Sequence, residues 1–599
     1  MKTPATPATL EAEALTQAMG GIAEETRRFL DSYWQGQIAR TAQSPDPLGV
    51  MPALQALQQQ WLQHPGMVAK AQAGFMQQYL ELWQSFAQRL WGLAPVPVVT
   101  PAPGDKRFKD QEWQANPFFD FVKQSYLIAA NTLVKMVAET PGMDDKTARK
   151  AAFYVRQFSD ALAPTNFIAT NPEVLRTTLE SGGRNLIEGL KHLLEDFDPA
   201  TGMVKPRMVD GSGFELGQNI AATPGKVIYR NEMMELLQFD PTTPTVRKRP
   251  LLIMPPWINK FYVLDLQPKN SFIRWAVNQG HTVFVISWTN PGQEMKDKDF
   301  EDYVLAGPLA ALDAIEKATG ETSINIIGYC IGGTLLGATL AWLCAQGDTR
   351  IASATFFTAL LDFSDVGDLG VFIDEEQLGA LEETLQSRGY LDGSEMAAAF
   401  NLIRANDLIW SFVVNNYLLG RAPAAFDLLF WNSDSTRLPA RMLITYLRKM
   451  YMENALRKPG GISLRGEPVD LGCVDIPTCF VSAVEDHIAP WKSTFLGAQA
   501  LSSDVHFILG KAGHVAGIIN PPGPKAYDHF TGPSIHGQTP EEWSAKAKLQ
   551  TGSWWEAWDK WVAQYAGGEV PARHPGNGRL TPLGDAPGTY VRIRAADQA

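Results

Sequence analysis

A single cysteine stands where a short apolar run gives way to a cluster of glycines. Residues 328–333 read Gly-Tyr-Cys-Ile-Gly-Gly and follow the apolar run 324–327. A run of this kind that ends in Gly-x-Cys-x-Gly-Gly and passes into a helical pattern is typical of a nucleophile elbow, in which glycines relieve crowding at a strained turn. Because a thiol replaces the usual hydroxyl, we predict that Cys330 forms a thioester acyl-enzyme. A thioester can transfer its acyl group to an acceptor other than water.

An acid and a histidine follow the cysteine in the order that α/β-hydrolases use for nucleophile, acid and histidine. Asp486 comes shortly after the apolar run 478–482, and His514 lies in the loop after the run 505–509. A free thiol has a pKa of about 8.5, so we expect His514 to take the proton of Cys330 or to pair with its thiolate. We expect Asp486 to hold the imidazole in the required tautomer, with Glu485 as its nearest competitor.

Acyl transfer also needs donors for the oxygen on which negative charge builds up. The backbone N–H of Ile331, at the start of the helix after the elbow, is the expected first donor. The second should come from the loop after the first sheet strand, where Pro255 and Pro256 have no N–H. Trp257 or Ile258 is therefore the expected second donor.

The other histidines and cysteines near these segments have structural roles in our interpretation. His487 is expected to help position Asp486 rather than to catalyse, and His281 and His506 belong to predicted strands. The chain has four cysteines and no CxxC pair, so we predict neither a disulfide framework nor a metal site. The remaining thiols are predicted to be buried and inert: Cys344, Cys473 and Cys479.

The elements that must position these residues follow from the pattern after Pro250. Short apolar runs alternate there with helical patterns, which indicates a mostly parallel sheet flanked by helices, the α/β-hydrolase fold. The alternation stops at 362–451, a helical and aromatic insertion that we interpret as a cap over the site. The predicted strands are 251–254, 281–288, 324–327, 352–357, 478–482 and 505–509.

The N-terminal part of the chain is predicted to be mainly helical. Residues 1–95 form a variable helical segment, a Pro-rich linker follows, 96–225 form a helical domain, and 226–599 form the catalytic domain. An apolar stripe at helical spacing is interpreted as core or helix contact, with a docking face as the alternative. It consists of Phe75, Tyr79, Leu80, Trp83, Phe86 and Leu90.

The composition and charge of the chain exclude some classes of function. The chain has 599 residues, 45% of them hydrophobic, and a net charge of −12, which argues against a nucleic-acid partner. The sequence shows neither a signal-peptide core nor a run of about 18 apolar residues that would span a membrane. With few cysteines, the expected compartment is a reducing cytoplasm.

Several longer motifs carry a family resemblance. The segment 328–333 matches a lipase-like box with cysteine, and the acid and histidine segments 485–488 and 513–517 also fit. The chain resembles the single-subunit, class I polyhydroxyalkanoate synthases from about Arg107 to about Val591, whereas residues 1–100 match only in helical character. The further matching motifs are Pro-Pro-Trp-Ile-Asn-Lys at 255–260, Leu-Asp-Phe-Ser at 361–364, Phe-Asp-Leu-Leu-Phe-Trp-Asn at 426–432, Gly-Ser-Trp-Trp at 552–555, and Asn-Phe at 166–167 with Asn-Pro at 171–172.

The resemblance implies polymerisation of (R)-3-hydroxyacyl-CoA, of short chain such as 3-hydroxybutyryl-CoA, into polyester. Coenzyme A is released as part of the substrate, and no cofactor is expected. Cys330 would carry the acyl chain, and the 3-hydroxyl of the next monomer would attack it. Asp486 would orient His514 or act directly as base toward that hydroxyl. The cap would support dimers and exclude water.

The resemblance also implies partners. These are the growing polyester and the granule surface in the cytoplasm, a second copy in a homodimer, and granule-coat proteins bound through the N-terminal region. Two other interpretations use the same residues: a thiol-dependent intracellular polyester depolymerase or thioesterase, and a non-enzymatic granule-binding protein with a relict hydrolase domain. The long matching segments outside the triad favour the synthase.

Overall fold

The computed structural model describes residues 49–198 and 203–594, which divide into two compact units. The first contains the described residues up to Asp210 together with Phe400–Ala424, and the second contains the described residues of Gly211–Ala399 and Ala425–Ala599. Residues 400–424 lie within the predicted cap but group with the first unit. The predicted segment before residue 49 lies outside the described residues, and the functional boundaries at 95 and 225 stay predictions.

The first unit is mainly helical, as its sequence pattern predicts. Asn171 caps the sixth helix by accepting hydrogen bonds from the N–H groups of Glu173 and Val174, and Pro172 supplies a first residue that needs no N–H partner. Two short strands, β1 (Phe197–Asp198) and β2 (Met203–Val204), pair antiparallel after the last helix. The helices are α1 (Val50–Gln63), α2 (Pro65–Leu90), α3 (Glu112–Ala115), α4 (Pro117–Ala138), α5 (Asp145–Ala161), α6 (Pro172–Ser181) and α7 (Arg184–Glu195).

The helical pattern of residues 173–195 is divided into two helices, because the chain breaks between α6 and α7. Gly182 and Gly183 have φ values of 62° and 84°. Both lie in the left-handed region that glycine adopts readily and that ends a right-handed helix. The two glycines were the available signal for this break.

The aromatic stripe of α2 makes a helix–helix contact, as expected. Trp83 and Phe86 pack on Phe121 of α4, with ring centroids 4.8 and 5.0 Å apart. Tyr79 contacts the same ring at 6.2 Å. Leu80 and Trp83 nevertheless stay 58% and 49% exposed, so part of this apolar stripe faces outward.

The second unit is built around an eleven-stranded sheet of its described residues, in the order β17-β16-β15-β14-β9-β8-β6-β7-β4-β3-β19. The six central strands, from β15 to β7, run parallel, and the strands at both edges pair antiparallel. The strands are β3 (Gly225–Arg230), β4 (Met234–Phe239), β5 (Thr245–Arg247), β6 (Leu251–Met254), β7 (Val283–Trp288), β8 (Ile324–Tyr329), β9 (Ile351–Phe357), β10 (Tyr390–Leu391), β11 (Leu438–Pro439), β12 (Ser463–Leu464), β13 (Glu467–Pro468), β14 (Thr478–Ala483), β15 (Val505–Gly510), β16 (His529–Thr531), β17 (Lys548–Gln550), β18 (Glu569–Pro571) and β19 (Gly584–Asp585).

The α/β-hydrolase fold and all six predicted strands are confirmed, with some ends shifted by one or two residues. The antiparallel strands β3 and β4 were not predicted. In β4 every residue is buried, including Glu235, so the strand shows no alternation of apolar and polar residues. The Glu235 carboxylate accepts hydrogen bonds from Arg230 and from the N–H groups of Thr589 and Tyr590, which lie far away in sequence.

Helices cover the sheet and fill the insertion between β9 and β14. On the sheet, Trp554 and Trp558 pack against Phe357, and the indole N–H of Trp558 donates to Thr355 Oγ1 at 3.0 Å. The remaining helices are α8 (Phe272–Asn278), α9 (Phe300–Val304), α10 (Ala310–Thr319), α11 (Ile331–Ala345), α12 (Glu375–Arg388), α13 (Gly393–Ile403), α14 (Asp427–Ser433), α15 (Ala440–Tyr446), α16 (Trp491–Ala498), α17 (Pro540–Lys546) and α18 (Trp554–Val562), with π-helical segments at Leu305–Leu309, Asn406–Trp410, Val413–Leu418 and Leu447–Met452. Within the described part of the chain, no helix has the length and apolar character to cross a bilayer.

Candidate active site

Cys330 lies at the sharp turn between β8 and α11. Its φ of 54° and ψ of −126° are outside the regions that side-chain-bearing residues normally adopt. The turn is held by the Cys330 N–H, which donates to the Phe357 carbonyl at 2.9 Å, and by the Gly333 N–H, which donates to the Cys330 carbonyl at 2.8 Å. A strained backbone fixed by its neighbours is a frequent feature of functional sites.

The glycines of the elbow are required by close packing. A Cβ at Gly328 would lie 2.6 Å from the Cα of Gly333, and a Cβ at Gly332 would lie 2.4 Å from the carbonyl oxygen of Met254. Both distances are too short for any side chain. The second contact also shows that the loop after β6 runs directly beside the elbow.

Asp486 and His514 meet at the carboxyl ends of the parallel strands β14 and β15. His514 Nδ1 lies 2.7 Å from Asp486 Oδ2, and both side chains are almost fully buried. The other carboxylate oxygen accepts hydrogen bonds from the N–H groups of Ile488 and Ala489 at 2.9 and 2.8 Å. Glu485 is exposed to solvent, so the structure places Asp486 rather than its neighbour against the imidazole.

Cys330 lies close enough to His514 to affect the ionisation of the imidazole, and the three predicted residues are all buried. Burial alone would lower the pKa of His514. The negative charge of Asp486, the proximity of Cys330 and the hydrogen bond to Asp486 outweigh this effect and raise the pKa of His514 well above its ordinary value of 6.5. The ring of Tyr329 stacks on the imidazole, with centroids 5.8 Å apart.

The predicted oxyanion donors lie beside the elbow. Ile331 is the first residue of α11, where backbone N–H groups have no carbonyl one turn earlier to bond. Trp257 and Ile258 follow the Met254–Pro255 segment that contacts Gly332, and Thr436 bonds to both of their carbonyl oxygens. The loop position is as expected, and the donor role of its N–H groups stays a prediction.

Aromatic side chains close the space around Cys330. Tyr446 of α15 and Tyr451 of the following π-helical segment both have raised pKa values, mainly through burial and in part through the nearby Cys330 charge. Their ring centroids are 6.0 Å apart, and Tyr446 lies 6.0 Å from the ring of Trp257 and 6.2 Å from that of Phe363. We call Trp257, Phe363, Tyr446 and Tyr451 the aromatic wall. The sequence identified the two tyrosines only as part of an aromatic cap.

A polar clamp that was not predicted joins the two ends of the cap. Asn454 donates its side-chain N–H to Asp362 Oδ1 at 2.9 Å, and its side-chain oxygen accepts the N–H of Phe363 at 2.9 Å. The clamp therefore holds the backbone of Phe363, a member of the aromatic wall, and Tyr451 lies three residues before Asn454. The only sequence signal was the position of Asp362 in the motif at 361–364.

The other histidines occupy structural positions or border the site. His281 is buried, and its Nε2 lies 2.9 Å from Asp559 Oδ1. His506, which belongs to β15, stacks on Trp561. His487 is partly buried beside Asp486; a helper role there stays a prediction.

The expectation that three thiols are buried holds for Cys479 and is wrong for Cys344 and Cys473. Cys479 is fully buried within β14, whereas the other two are partly exposed and in contact with each other. They lie at the end of α11 and in the turn Leu471–Cys473, where neighbouring elements do not cover them fully. In the described ranges, no cluster of three or more His, Cys, Asp or Glu side chains could hold a metal ion.

Comparisons with known proteins identify relatives over most of the chain. Residues 104–276 match a family model described as the poly-beta-hydroxybutyrate polymerase (PhaC) N-terminus, and residues 249–521 match one for the alpha/beta hydrolase fold. A poly(3-hydroxyalkanoate) polymerase of Methylorubrum extorquens is 51% identical over 89% of this chain and 88% of its own length. A polymerase subunit of Rhizobium meliloti is 47% identical over 97% of this chain and 95% of its own length. A polymerase subunit of Cupriavidus necator is 40% identical over 89% of this chain and 89% of its own length.

Proposed function

Because the chain belongs to the poly(3-hydroxyalkanoate) polymerase family, whose activity is acyl transfer, we propose that it polymerises (R)-3-hydroxyacyl-CoA through a thioester at Cys330. The observation that carries this proposal is the buried Asp486–His514 hydrogen bond beside Cys330 at the strained elbow. Together these residues provide a nucleophile, a base and an orienting acid.

The first step loads the acyl group onto the enzyme. Because Nδ1 of His514 faces Asp486, Nε2 is the nitrogen available to the thiol and takes the proton of Cys330. The sulfur attacks the thioester carbonyl carbon, a new carbon–sulfur bond forms, and the bond to coenzyme A breaks. The proton on Nε2 then passes to the departing coenzyme A thiolate.

The second step extends the polymer. The 3-hydroxyl of the next monomer attacks the acyl carbon on Cys330, an ester bond forms, and the enzyme thiolate leaves. The lengthened chain is then a coenzyme A thioester, which Cys330 attacks again with release of coenzyme A. His514 takes the hydroxyl proton, with Asp486 acting through it; direct proton removal by Asp486 is the alternative.

Stabilisation of the oxyanion is proposed for backbone N–H groups beside the elbow. Ile331 supplies the first, at the N-terminus of α11, and Trp257 or Ile258 supplies the second. The contact between Gly332 and the Met254 carbonyl supports this assignment, because it holds the two segments at main-chain distance. Such fixed donors cost no reorganisation when charge develops.

The aromatic wall is proposed to keep water away from the thioester. Trp257 and Phe363 are nearly fully buried, and Tyr446 is buried over the elbow. Hydrolysis would end each polymer chain early, so exclusion of water favours transfer to the monomer hydroxyl.

The substrate and reaction type can be tested together. We expect purified protein that is given 3-hydroxybutyryl-CoA to release coenzyme A and to form insoluble polyester. Free 3-hydroxybutyrate as the sole product would instead support the depolymerase or thioesterase interpretation and would overturn the proposal. Coenzyme A release that continues unchanged in Cys330→Ala protein would overturn the role of Cys330.

Contact with the polyester granule is proposed for the outward side of α2. Leu80, Trp83 and Leu90 are 58%, 49% and 63% exposed, and Trp91 directly after the helix is 88% exposed. Exposed apolar side chains grouped in this way are typical of interaction surfaces. Replacing Leu80, Trp83 and Leu90 with Gln should reduce co-sedimentation with purified granules, and unchanged co-sedimentation would contradict this part of the proposal.

Homodimer formation and binding of granule-coat proteins through the N-terminal region complete the proposed function. Both are proposed from the resemblance of the sequence motifs to class I synthases. Sedimentation of the protein with and without 3-hydroxybutyryl-CoA should show a dimer that the substrate favours. A monomer under both conditions, in a preparation that makes polymer, would contradict the dimer.

A further inference from the structure

Two partly exposed thiols lie side by side at the end of α11 opposite to the elbow. Cys344 donates its S–H to the carbonyl oxygen of Cys473 at 2.9 Å, and Cys473 donates its own to the carbonyl oxygen of Ala341 at 3.5 Å. Each sulfur atom therefore lies against the backbone of the segment that contains the other cysteine. The pair lies about 20 Å along the helix axis from Cys330, given a rise of about 1.5 Å per residue.

The surroundings of the pair distinguish it from the other cysteines of the chain. Cys344 and Cys473 are both free and partly open to solvent, whereas Cys479 is fully buried and burial raises its pKa well above the ordinary range. The described residues supply no third ligand that would make the pair part of a metal cluster. Two neighbouring, partly exposed thiols that each contact the backbone of the other's segment are candidates for a disulfide.

We propose that Cys344 and Cys473 form a second thiol site, which a peroxide oxidises to an intramolecular disulfide. The sulfur of Cys344 attacks one peroxide oxygen, the O–O bond breaks, and a sulfenic acid and one water form. The sulfur of Cys473 then attacks the sulfenic sulfur, the S–S bond forms, the S–O bond breaks, and a second water leaves. Two thiols are oxidised and one hydrogen peroxide is reduced.

The order of the two steps follows from the state of Cys473. Burial, and then its hydrogen bond with Cys344, raise the pKa of Cys473 to about 12. Cys473 therefore keeps its proton at neutral pH and is a poor first nucleophile, since the thiolate is the reactive form. Cys344 therefore reacts first. Its oxidation removes the hydrogen bond and the charge through which Cys344 raises the pKa of Cys473, so Cys473 can then lose its proton and resolve the intermediate. In a reducing compartment such a bond forms transiently under oxidative conditions.

The disulfide would connect the two segments that frame the cap. It closes a loop over residues 345–472, which contains the whole cap segment 362–451. One end of the loop is α11, which begins next to Cys330, and the other end leads into β14, after which Asp486 lies. Closing a long loop restricts the unfolded chain, so the oxidised protein should be more resistant to unfolding.

The chemical test uses full-length Cys330→Ala protein, so that the thiol of the active site does not compete for oxidant. After exposure to hydrogen peroxide, unfolding and alkylation, we expect a cross-linked peptide that joins Cys344 to Cys473 and disappears on reduction with dithiothreitol. The matched control, Cys330→Ala/Cys473→Ser, should give no cross-link, and Cys479 should stay alkylated in both proteins. Full alkylation of both thiols in excess peroxide, or separate sulfinic acids without a cross-link, would overturn the proposal.

A thermal measurement tests the effect on the cap. The oxidised Cys330→Ala protein should unfold at a temperature at least about 3 °C higher than its reduced form, and the double variant should show no such rise. A cross-link that leaves the unfolding temperature unchanged would overturn the inference that the bond anchors the cap.

Discussion

Replacing Asp486 with Asn tests how the acid acts, because the structure fixes the orientation of the new amide. One carboxylate oxygen of Asp486 accepts two backbone N–H groups, from Ile488 and Ala489, and the other faces His514 Nδ1 at 2.7 Å. The Asn oxygen must stay with the two backbone donors, since a buried N–H without a partner costs about 1–3 kcal/mol. The amide NH2 group therefore faces the imidazole.

An amide donor at this position selects the wrong tautomer of His514. Nδ1 must then accept, so Nε2 carries the hydrogen and cannot take the proton of Cys330. In serine enzymes the corresponding change lowers kcat by about 10⁴. For a thiol, which ionises more readily, we expect a loss of about 10² to 10⁴, equivalent to about 3–5 kcal/mol of barrier. The hydrogen bonds of the folded state are kept, so the protein should still fold, and loss of the Asp486 charge should lower the pKa of His514.

Rapid-mixing measurements of coenzyme A release separate acylation from elongation. With 3-hydroxybutyryl-CoA, the first equivalent of coenzyme A reports acylation and the later equivalents report elongation. Glu485→Gln is the matched control, since Glu485 is exposed and should keep activity within about twofold. An Asp486→Asn protein that acylates at the normal rate would refute the tautomer argument. If it also failed to elongate, Asp486 would act directly on the monomer hydroxyl.

Three further predictions follow from the elbow and the aromatic wall. Tyr451→Ala should open the aromatic wall and raise the fraction of substrate that is released as free 3-hydroxy acid, which chromatography measures. Tyr451→Phe is the control. An unchanged ratio of free acid to polymer would contradict the exclusion of water by the wall. Gly332→Ala should abolish most activity, because its Cβ would lie 2.4 Å from the Met254 carbonyl; coenzyme A release near the normal rate would show that the loop position is unimportant. In Cys330→Ala protein the pKa of His514 should fall, since one raising charge is removed. The raised pKa of His514 stabilises the folded protein fully below the unfolded pKa of about 6.5, and this contribution is lost as pH rises through the folded pKa. An NMR titration of the His514 ring that the substitution leaves unchanged would refute the coupling between Cys330 and His514.

The reacting residues could be predicted from sequence because their signals are local. An elbow is defined by a few consecutive residues around Cys330. The strands before Asp486 and His514 are buried runs bounded by loops, apart from the partly exposed His506. Parallel neighbouring strands then bring their carboxyl ends together whatever their separation in sequence.

The features that were missed depend on contacts between distant parts of the chain. The buried Glu235 hides the strand character of β4, and its partners lie near residue 590. The Asn454–Asp362 clamp and the meeting of Cys344 with Cys473 likewise join segments that no local pattern connects. By contrast, the break at Gly182–Gly183 was visible in the sequence, since paired glycines disfavour a continuous helix.

The claim that Cys330 carries a growing polyester is tested most directly by the mass of the enzyme during turnover. Protein quenched after brief exposure to 3-hydroxybutyryl-CoA should show a ladder of adducts that differ by one hydroxybutyrate unit. Peptide mapping should place the ladder on Cys330, and hydroxylamine should remove it, as expected for a thioester. Polymer formation by protein with no adduct on Cys330 would contradict the account.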